Sequence, residues 1–391
     1  MKKKIVILGS TGSIGKQTLE IIKNNKKKFN VELLSTNKNI NEISKQIKLF
    51  KPKYLIITNF KKFNFFKKKN RKIKIFNNYN CFKKIFSKKV DYVMSSISGF
   101  EGLQPTIEII KHTKLIAIAN KESVICGWSL IDRELKKNKT KFIPIDSEHF
   151  SIWSLANNKY EDIDEIYITA SGGPFLNKTI KSLKFVKPAH AVKHPRWKMG
   201  KKISVDSATM VNKVFEIIEA SKLFNLSIKK IKILSHPDSY VHAIVKFKNG
   251  LTKILIHDTN MKVPIFNSLF NSKSEKIYSE KLDIKKLNNL NLNKINIRQF
   301  PSLKTINLFP TISNSLLETV LVSANDELVD LFLKNKIQFL DIAKKLITIL
   351  KQKEFKILST KKPNNLAQII RLNRYVRLKT KTLCVKSESN E

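Results

Sequence analysis

The sequence predicts an α/β protein with an N-terminal doubly wound sheet, a central α+β region and an α-helical C-terminal region. Three observations support this fold class. Short apolar segments alternate with helical stretches up to residue 146, which is typical of a mostly parallel sheet covered by helices. Two later apolar segments are joined by Asn249-Gly250, a dipeptide that favours a β-hairpin. Beyond residue 301 the apolar residues follow a helical period.

The predicted strands are short apolar runs bounded by turn residues. Those of the N-terminal sheet are KIVILG, VELLST, YLIIT (54–58), DYVMSS (91–96), KLIAIAN (114–120) and KFIPID (141–146). Those of the central region are EIYITA (165–170), KIKILS (230–235), VHAIVKF (241–247) and TKILIH (252–257). Residues 60 to 90 are rich in Lys, Asn and Phe and give no clear pattern.

The same patterns divide the chain into domains, of which a length of 391 residues allows two or three. We predict that a polar, irregular connector separates the first two domains from a helical one, exemplified by SNSLLETVLVSANDELVDLFLKN. The predicted bounds are 1–146 for the N-terminal domain, 147–263 for the central domain, 264–300 for the connector and 301–391 for the C-terminal helical domain.

The composition is that of a folded protein from a reducing compartment. Hydrophobic residues make up 42% of the chain, and its three cysteines are far apart and form no metal or redox motif. The apolar run after the N-terminal lysines ends at Gly9, which is too short for a signal peptide. Nor does any run reach the length of a membrane helix. We therefore expect a cytoplasmic protein without a membrane partner.

The net charge of +44 raises the question of nucleic-acid binding. Lysine is spread over almost every segment and accompanies abundant Asn, Ile and Phe with only 10 glycines, which indicates the bias of an AT-rich coding sequence. We expect no specific nucleic-acid partner. The alternative is a nucleic-acid-binding surface, for which FKKFNFFKKKNRKIKIF between residues 60 and 90 offers interleaved basic and aromatic residues.

The segment GSTGSIG, Gly9 to Gly15, follows the first strand and opens a helix. Glycines at this place allow backbone N–H groups to approach a pyrophosphate, as in Rossmann-like dinucleotide-binding domains. A tight turn without a ligand is the alternative. The second strand ends in Ser35-Thr36-Asn37-Lys38-Asn39, where a cation and amides replace the usual acid. This favours NADP over NAD.

Three polar segments follow later strands, at the edge where open α/β sheets bind ligands. Lys121, in Asn120-Lys121-Glu122-Ser123, could contact a substrate hydroxyl or be an exposed loop lysine. Asp146 and Glu148 could bind Mg²⁺ or Mn²⁺, or could begin a helix. The segment Ser171-Gly172-Gly173-Pro174 could form an anion nest or a plain turn.

The stretch from His194 to Ala220 is the richest in polar groups. Ser207 stands just before an apolar-periodic run and is predicted to be a helix N-cap. Asn212 and Glu216 are four residues apart and so share a helical face, with Lys213 beside them. A helix start with such groups suits a phosphate, and a carboxylate on the same face suits a metal.

Together, the ordered segments GSTGSIG, ANKES, PIDSEH, SGGPF, HPRWKMGKKISVDSATMVNK and HPDSYVHAIV resemble the 1-deoxy-D-xylulose 5-phosphate reductoisomerase family. The resemblance runs to about residue 263 and is loose over residues 60 to 90 and the last 90. It implies a homodimeric enzyme that uses NADPH and Mg²⁺, Mn²⁺ or Co²⁺ to rearrange and reduce a phosphorylated ketose to 2-C-methyl-D-erythritol 4-phosphate, in the non-mevalonate isoprenoid pathway.

The resemblance also implies roles for individual residues. It makes Asp146, Glu148 and Glu216 the metal ligands, and Lys121, Glu148 and His194 the catalytic residues. The implied substrate contacts are Lys121, Ser147, Glu148, Ser171, His194, Trp197, Ser207, Asn212, Lys213 and Glu216. The loop from His194 to Gly200, with Trp197 and Met199, is implied to be a mobile lid. The implied NADPH contacts are Thr11, Gly12, Ser13, Ile14, Asn37, Lys38, Asn39, Asn120, Glu122 and Gly200.

Several positions depart from the family pattern. Asn37 and the pair Val214-Phe215 replace smaller family residues, and Asp238 stands in a His-Pro-Gln-Ser segment. Since no proposed ligand is lost, the alternative they raise is a drifted enzyme of low activity. A second alternative is another NADP-dependent dehydrogenase, with an α/β-hydroxy or semialdehyde substrate. Semialdehyde chemistry would need a Cys nucleophile, for which Cys126 is the candidate.

Overall fold

The computed structural model describes residues 1–69, 73–197, 199–270, 275–312 and 314–385. The chain divides into two compact units. The first comprises Met1–Ser123, Leu130–Phe150 and Met261–Ser279, and the second comprises Val124–Ser129, Ser151–Asn260 and Glu280–Glu391. Among the described residues, no helix combines the length and apolar character needed to cross a bilayer.

The first unit contains a parallel sheet, with seven strands among its described residues, in the order β4-β3-β2-β1-β5-β6-β7. Central strands are apolar throughout because helices cover both faces; Ile5–Leu8, for example, are fully buried. The order reverses beside β1, so the carboxyl ends of β1 and β5 flank the crevice where such sheets bind ligands. The strands are β1 Lys3–Leu8, β2 Phe29–Thr36, β3 Tyr54–Ile57, β4 Lys74–Phe76, β5 Tyr92–Ser95, β6 Leu115–Ile118 and β7 Lys141–Pro144.

The helices follow the strands in alternation over the first 156 residues. Their apolar faces are buried, as Leu19 and Ile22 of the first helix show. These helices are α1 Ser13–Asn24, α2 Ile40–Phe50, α3 Phe60–Lys69, α4 Phe82–Ile85, α5 Leu103–Ile110, α6 Lys121–Lys137 and α7 Ser147–Ala156.

The second unit contains a mixed sheet, with five described strands, in the order β11-β10-β8-β9-β12. β8 and β9 pair in parallel and the other neighbours pair antiparallel. β10 and β11 form the predicted hairpin, whose turn includes Gly250 at a φ of +86°. The strands are β8 Ile163–Ala170, β9 Ile231–Ser235, β10 Val241–Phe247, β11 Thr252–Ile256 and β12 Asn293–Lys294.

The remaining helices include a C-terminal group in which α14 is buried on almost every side and packs against α15 and α17. A continuous apolar surface of this kind is typical of the central helix of a bundle. The remaining helices are α8 Ile180–Leu183, α9 Pro188–Ala191, α10 Lys201–Ala208, α11 Val211–Phe224, α12 Lys262–Leu269, α13 Ile284–Asn288, α14 Leu317–Leu333, α15 Phe339–Lys351, α16 Lys353–Lys356 and α17 Leu366–Val385.

The predicted fold class is confirmed. The sequence missed β4, which lies in the lysine-rich stretch, and β12, whose two residues have no apolar pattern. It also missed α12 in the predicted connector, a helix that packs on α1. The domain bounds remain predictions; residues 271–274 of the connector, and Ser313 and 386–391 of the helical domain, lie outside the described residues.

Candidate active site

The glycine-rich turn after β1 is built so that only glycine fits. Gly9 has a φ of +81°, and a Cβ there would lie 2.7 Å from the carbonyl oxygen of Ser96. A Cβ on Gly15 would lie 2.5 Å from the carbonyl oxygen of Gly9. α1 then begins after Gly12 with no side-chain cap and no acid in its first turn. Its N-terminal N–H groups therefore suit an anion.

Beside this turn lies the carboxyl end of β2. The Ser35 hydroxyl accepts a hydrogen bond of 2.8 Å from the Gly9 N–H, and the hydroxyls of Thr11 and Thr36 are 2.8 Å apart. Asn39 caps α2 by accepting from the Glu42 N–H at 3.1 Å. Asn37 and Lys38 are exposed next to this cap. The exposed ammonium is the feature that suits a 2′-phosphate.

The side chain of Asn120 has a structural task at the start of α6. Its oxygen accepts from the Ser123 N–H at 2.5 Å, and its NH₂ group donates to the carbonyl oxygens of Gly99, at 2.7 Å, and Ile97. An NADPH contact at this position would therefore use the backbone. Glu122, in the first turn of α6, is buried.

Lys121 is not the exposed loop lysine that the sequence allowed, since it is 7% exposed. Its Nζ lies 2.9 Å from Oδ2 of Asp146, at the carboxyl end of the neighbouring strand β7. Nδ1 of the fully buried His149 lies 3.1 Å from Oδ1. Burial raises the pKa of Asp146, but the charge on Lys121 and the hydrogen bond to His149 outweigh it and hold the pKa well below its usual range.

Asp146 also begins a helix, so the helix-start interpretation of its segment is confirmed. Its Oδ1 accepts from the Glu148 N–H at 3.3 Å, as an N-cap does. Glu148 is buried in the first turn of α7, where the Ser147 hydroxyl donates to its Oε2 at 2.5 Å. This end of β7 thus offers carboxylate and hydroxyl oxygens, which are hard donors that fit Mg²⁺. His149 belongs to the PIDSEH segment, and its three-residue spacing from Asp146 is the sequence signal for this contact.

In the second unit, the loop after β8 lies against the end of α10. Gly172 and Gly173 have φ values of +79° and +63°, and a Cβ on Gly173 would lie 3.1 Å from the carbonyl oxygen of Ser207. The Ser171 hydroxyl accepts from the Gly173 N–H at 3.3 Å. The Ser171 hydroxyl thus stabilises the turn that carries it, and Gly173 of the same turn lies against Ser207.

His194, which starts the predicted lid, is held as a neutral imidazole. Its Nδ1 accepts hydrogen bonds from the N–H groups of Trp197, at 2.9 Å, and Arg196, at 3.2 Å. The proton must then sit on Nε2, which lies 2.9 Å from the Ser171 hydroxyl. Burial and the nearby charge on Lys213 lower the pKa of His194 to about 4. The imidazole is therefore an uncharged donor above that pH.

The rest of the predicted lid contacts β10 and the segment that precedes it. Arg196 donates to Oδ1 of Asp238 at 2.6 Å, and the Trp197 ring meets the ring of His242 edge-on at 6.2 Å between centroids. Lys198 lies outside the described residues. The sequence did not point to the contact between Arg196 and Asp238, because the two residues are 42 positions apart.

The prediction that Ser207 is an N-cap is wrong. Ser207 lies inside α10, and α11 starts after Met210, which has a left-handed φ of +62°. The Thr209 hydroxyl donates to the carbonyl oxygens of Val205 and Asp206, at 3.0 and 3.2 Å, and so satisfies the end of α10. Because neither Gly nor Pro stands at the break, no residue type in the sequence marks the boundary between the two helices.

The first turns of α11 carry the predicted cluster. Asn212 and Lys213 both donate to the carboxylate of Glu216, as their spacings of four and three residues predict. Glu216 is 1% exposed. Val214 and Phe215 are fully buried, so the larger residues at these positions are accommodated in the core. Lys213 and Glu216 together bury opposite charges next to the break between α10 and α11.

Comparison with known proteins gives a consistent result. Models of 1-deoxy-D-xylulose 5-phosphate reductoisomerase match residues 5–127, and models of its C-terminal domains match residues 142–224 and 257–379. The chain is 56% identical to the 1-deoxy-D-xylulose 5-phosphate reductoisomerase of Pelagibacter ubique, over 98% of this chain and 100% of that protein. It is 37% identical to that of Wolbachia pipientis wMel, over 87% and 88%.

Two solved structures with the same name are similar in fold. The enzyme from Zymomonas mobilis in complex with NADPH gives a TM-score of 0.86 at 30% identity, over 98% of this chain and 99% of that one. A DOX-P reductoisomerase in complex with NADPH, fosmidomycin and magnesium gives a TM-score of 0.89 at 30% identity, over 98% of both chains.

Proposed function

The chain belongs to the 1-deoxy-D-xylulose 5-phosphate reductoisomerase family, and on that premise we propose which of its residues perform the reaction. It is an oxidoreductase that uses NADPH and a divalent metal to convert 1-deoxy-D-xylulose 5-phosphate into 2-C-methyl-D-erythritol 4-phosphate, in the non-mevalonate isoprenoid pathway. The observation that carries this conclusion is 56% identity over 98% of the chain. When bound, the metal supplies a Lewis acid for adjacent substrate oxygens, and NADPH supplies the hydride.

We propose that Asp146, Glu148 and Glu216 hold the metal. Support comes from the family resemblance and from the donor set, three carboxylates of the kind that Mg²⁺ prefers. Lys121, held beside Asp146 at 2.9 Å, donates to a substrate oxygen, and Ser147 does so through its hydroxyl. Mg²⁺ is the expected ion, with Mn²⁺ or Co²⁺ as substitutes.

The phosphate end of the substrate is proposed to lie in the second unit. Ser171 and Ser207 offer hydroxyls, Asn212 offers an amide, and Lys213 offers a cation next to the start of α11. His194 offers an uncharged N–H, because Nε2 carries its proton. Fixing the phosphate at a distance from the reacting carbons orients them, which lowers the entropic part of the barrier.

NADPH is proposed to bind at the turn after β1. The N–H groups at Gly12, Ser13 and Ile14 approach the pyrophosphate, with Thr11 beside them. Asn37, Lys38 and Asn39 form the site for the 2′-phosphate. The remaining proposed contacts are Asn120, Glu122 and Gly200.

The lid from His194 to Gly200 is proposed to cover the substrate with Trp197 and Met199. Closing such a segment excludes water from the reacting centre. His194 joins the lid to the phosphate site, since it contacts Ser171 through Nε2 and its own lid backbone through Nδ1. Substrate binding and lid closure are therefore expected to occur together.

From the family resemblance we also propose a cytoplasmic homodimer without a specific nucleic-acid or membrane partner.

The test is the oxidation of NADPH by the purified protein with 1-deoxy-D-xylulose 5-phosphate and Mg²⁺. We expect turnover that EDTA abolishes and that added Mg²⁺ restores. Glu216→Gln should abolish turnover and leave NADPH binding, measured by nucleotide fluorescence, unchanged. Cys126→Ala is the matched control for thiol chemistry and should remain active. A wild-type protein that binds NADPH without oxidising it in the presence of substrate would contradict the proposal.

A further inference from the structure

A polar network joins three helices of the second unit, one of which, α10, carries the proposed phosphate-binding residue Ser207. Lys202 and Asp206 lie one turn apart on α10, with Nζ 3.3 Å from Oδ2. Asn325, in the middle of α14, donates to Oδ1 of Asp206 at 2.7 Å. Its neighbour Asp326 lies 2.9 Å from Nζ of Lys202 through Oδ1. Arg377 of α17 completes this network, which we call the three-helix polar network, at 3.7 Å from Oδ2 of Asp326.

The network is largely buried. Asp206 is 2% exposed and Asn325 is fully buried. Burying a carboxylate costs several kcal/mol unless partners replace its water, and an apolar group of the same size is often at least as stable. Packing alone therefore gives no reason for charge at this place. Directed hydrogen bonds, in contrast with apolar contacts, fix the distance and angle between the helices they join.

The network holds α10 at two points. Lys202 is in the first turn, two residues after the end of the lid, and Asp206 is in the last turn, directly before Ser207. Asp206 accepts from Asn325 and Lys202 pairs with Asp326, and these two partners are adjacent on α14. A shift or rotation of α10 would break one of these contacts, so the position of the Ser207 side chain is tied to α14.

The network also contacts α11, the helix that carries the proposed phosphate-binding residues Asn212 and Lys213. The Lys202 ammonium lies 5.2 Å from the centroid of the Phe215 ring, on α11 next to Glu216. At the break between the two helices, the Ser302 hydroxyl donates to the Thr209 carbonyl oxygen. The break between α10 and α11 and the start of α11 are thus supported by Lys202, which lies within the HPRWKMGKKISVDSATMVNK segment, and by Ser302, which lies outside every motif segment.

We propose that Asn325 and Asp326, acting through Lys202 and Asp206, are positioning residues that set the affinity of the site for the substrate's phosphate group. The proposal rests on the proposed function. The network contacts α10 and α11, and none of its members is proposed to bind the substrate, the metal or NADPH. Its loss should therefore misplace the phosphate-binding side chains and leave hydride transfer unaffected. Small misplacements of such groups are known to have large effects on binding and rate.

The main test is Asp326→Asn, which keeps the shape of the side chain and removes its charge. We expect the KM for 1-deoxy-D-xylulose 5-phosphate and the inhibition constant of inorganic phosphate to rise together, about tenfold. kcat and the KM for NADPH should change less than about twofold. Asp326→Glu, which retains the carboxylate, should restore most of the affinity for both ligands.

The matched control is Asp330→Asn, on the same helix. Asp330 forms an exposed ion pair with Lys334 at 2.6 Å, outside the network, and its loss should leave both phosphate readouts unchanged. A purely structural role for Asp326 would lower the melting temperature and the active fraction without changing the KM or the inhibition constant. That result would overturn the proposal.

Two further measurements keep the outcome decisive. If Asp326→Asn does not fold, Arg377→Gln removes the half-exposed end of the network, and unchanged phosphate affinity in that variant would overturn the proposal. If the wild-type protein does not oxidise NADPH, the proposed function fails, and calorimetric titration with inorganic phosphate still decides the inference. Equal phosphate affinity in wild type and Asp326→Asn would then refute it.

Discussion

Lys121 and Asp146 form a buried ion pair, with 2.9 Å between Nζ and Oδ2. They come from the carboxyl ends of neighbouring parallel strands, β6 and β7, which places two oppositely charged groups at one edge of the sheet. The same carboxylate is also bonded to His149 at 3.1 Å. A carboxylate with both oxygens engaged is held in one orientation, and Lys121 is thereby held beside it.

Replacing this lysine should impair the chemical step more than cofactor binding. In Lys121→Met, we expect kcat/KM for 1-deoxy-D-xylulose 5-phosphate to fall about a hundredfold or more, because a donor to a substrate oxygen is removed. NADPH affinity should be unchanged. Steady-state kinetics and nucleotide fluorescence measure these two quantities.

The control for this substitution is Lys114→Met, at the start of the same strand. Lys114 pairs with Asp91 at 2.8 Å but is 65% exposed, so its loss should cost little. Equal loss of activity in both variants would show that charge in general, rather than the position of Lys121, is what matters.

The neutral state of His194 predicts a pH dependence of stability. Its pKa is lowered to about 4 in the folded protein, against about 6.5 in an unfolded chain. Between these values the unfolded chain binds the extra proton, so this residue's contribution to stability is present above about pH 6.5 and is lost as the pH falls toward 4. The melting temperature of wild type should decline over that window.

In His194→Gln the decline should be shallower, because the titrating group is gone and the amide can still donate to Ser171. The KM for the substrate should rise about tenfold at neutral pH, with little change in the KM for NADPH. His190→Gln is the matched control, since that histidine is exposed on α9. A steeper decline in His194→Gln than in wild type would contradict the assignment of a neutral imidazole.

We expect glycine to be required at position 173 for two reasons, the positive φ of the backbone and the atoms that surround it. Gly173→Ala places a Cβ 3.1 Å from the Ser207 oxygen and the Ala208 Cα at a φ of +63°. We expect a loss of stability of about 1–3 kcal/mol and a raised KM for the substrate, because the loop carrying Ser171 must move away from α10. Chemical denaturation and steady-state kinetics measure the two effects.

Gly250→Ala separates the two causes. Gly250 has a similar φ, +86°, but a Cβ there has nothing within 4 Å. The backbone strain should again lower stability, while the KM should stay at the wild-type value. A raised KM in Gly250→Ala, or an unchanged one in Gly173→Ala, would refute the proposed contact between the loop and the phosphate site.

Much of the fold and the site was predictable because it depends on local patterns. The apolar runs define the central strands, and the i, i+4 spacing places Asn212 on Glu216. What the sequence missed depends on tertiary contacts. The break at Met210 is stabilised by its surroundings and not by a helix-breaking residue, and β4 pairs with β3 in spite of its charged neighbours.

The same distinction between local patterns and tertiary contacts applies to the three-helix polar network. Asp206 lies within the HPRWKMGKKISVDSATMVNK segment, yet its partner Asn325 lies 119 positions away on a helix that the sequence predicts only from its apolar period. Long-range hydrogen bonds have no fixed spacing and so leave no periodic signal. The departures at Val214 and Phe215 show the converse, since residues that differ from the family pattern fit a fully buried environment.

Helix α3 carries exposed aromatic side chains next to lysines. Phe60 and Phe65 are exposed, and the Lys69 ammonium lies 4.3 Å from the Phe65 ring centroid. With a net charge of +44, binding to single-stranded RNA is expected at low salt through counterion release. The logarithm of the binding constant should fall linearly with that of the salt concentration, and binding should be negligible near physiological salt, as filter binding can show. Phe65→Ser should then have little effect, whereas tight binding at physiological salt that this variant abolishes would establish a specific nucleic-acid surface.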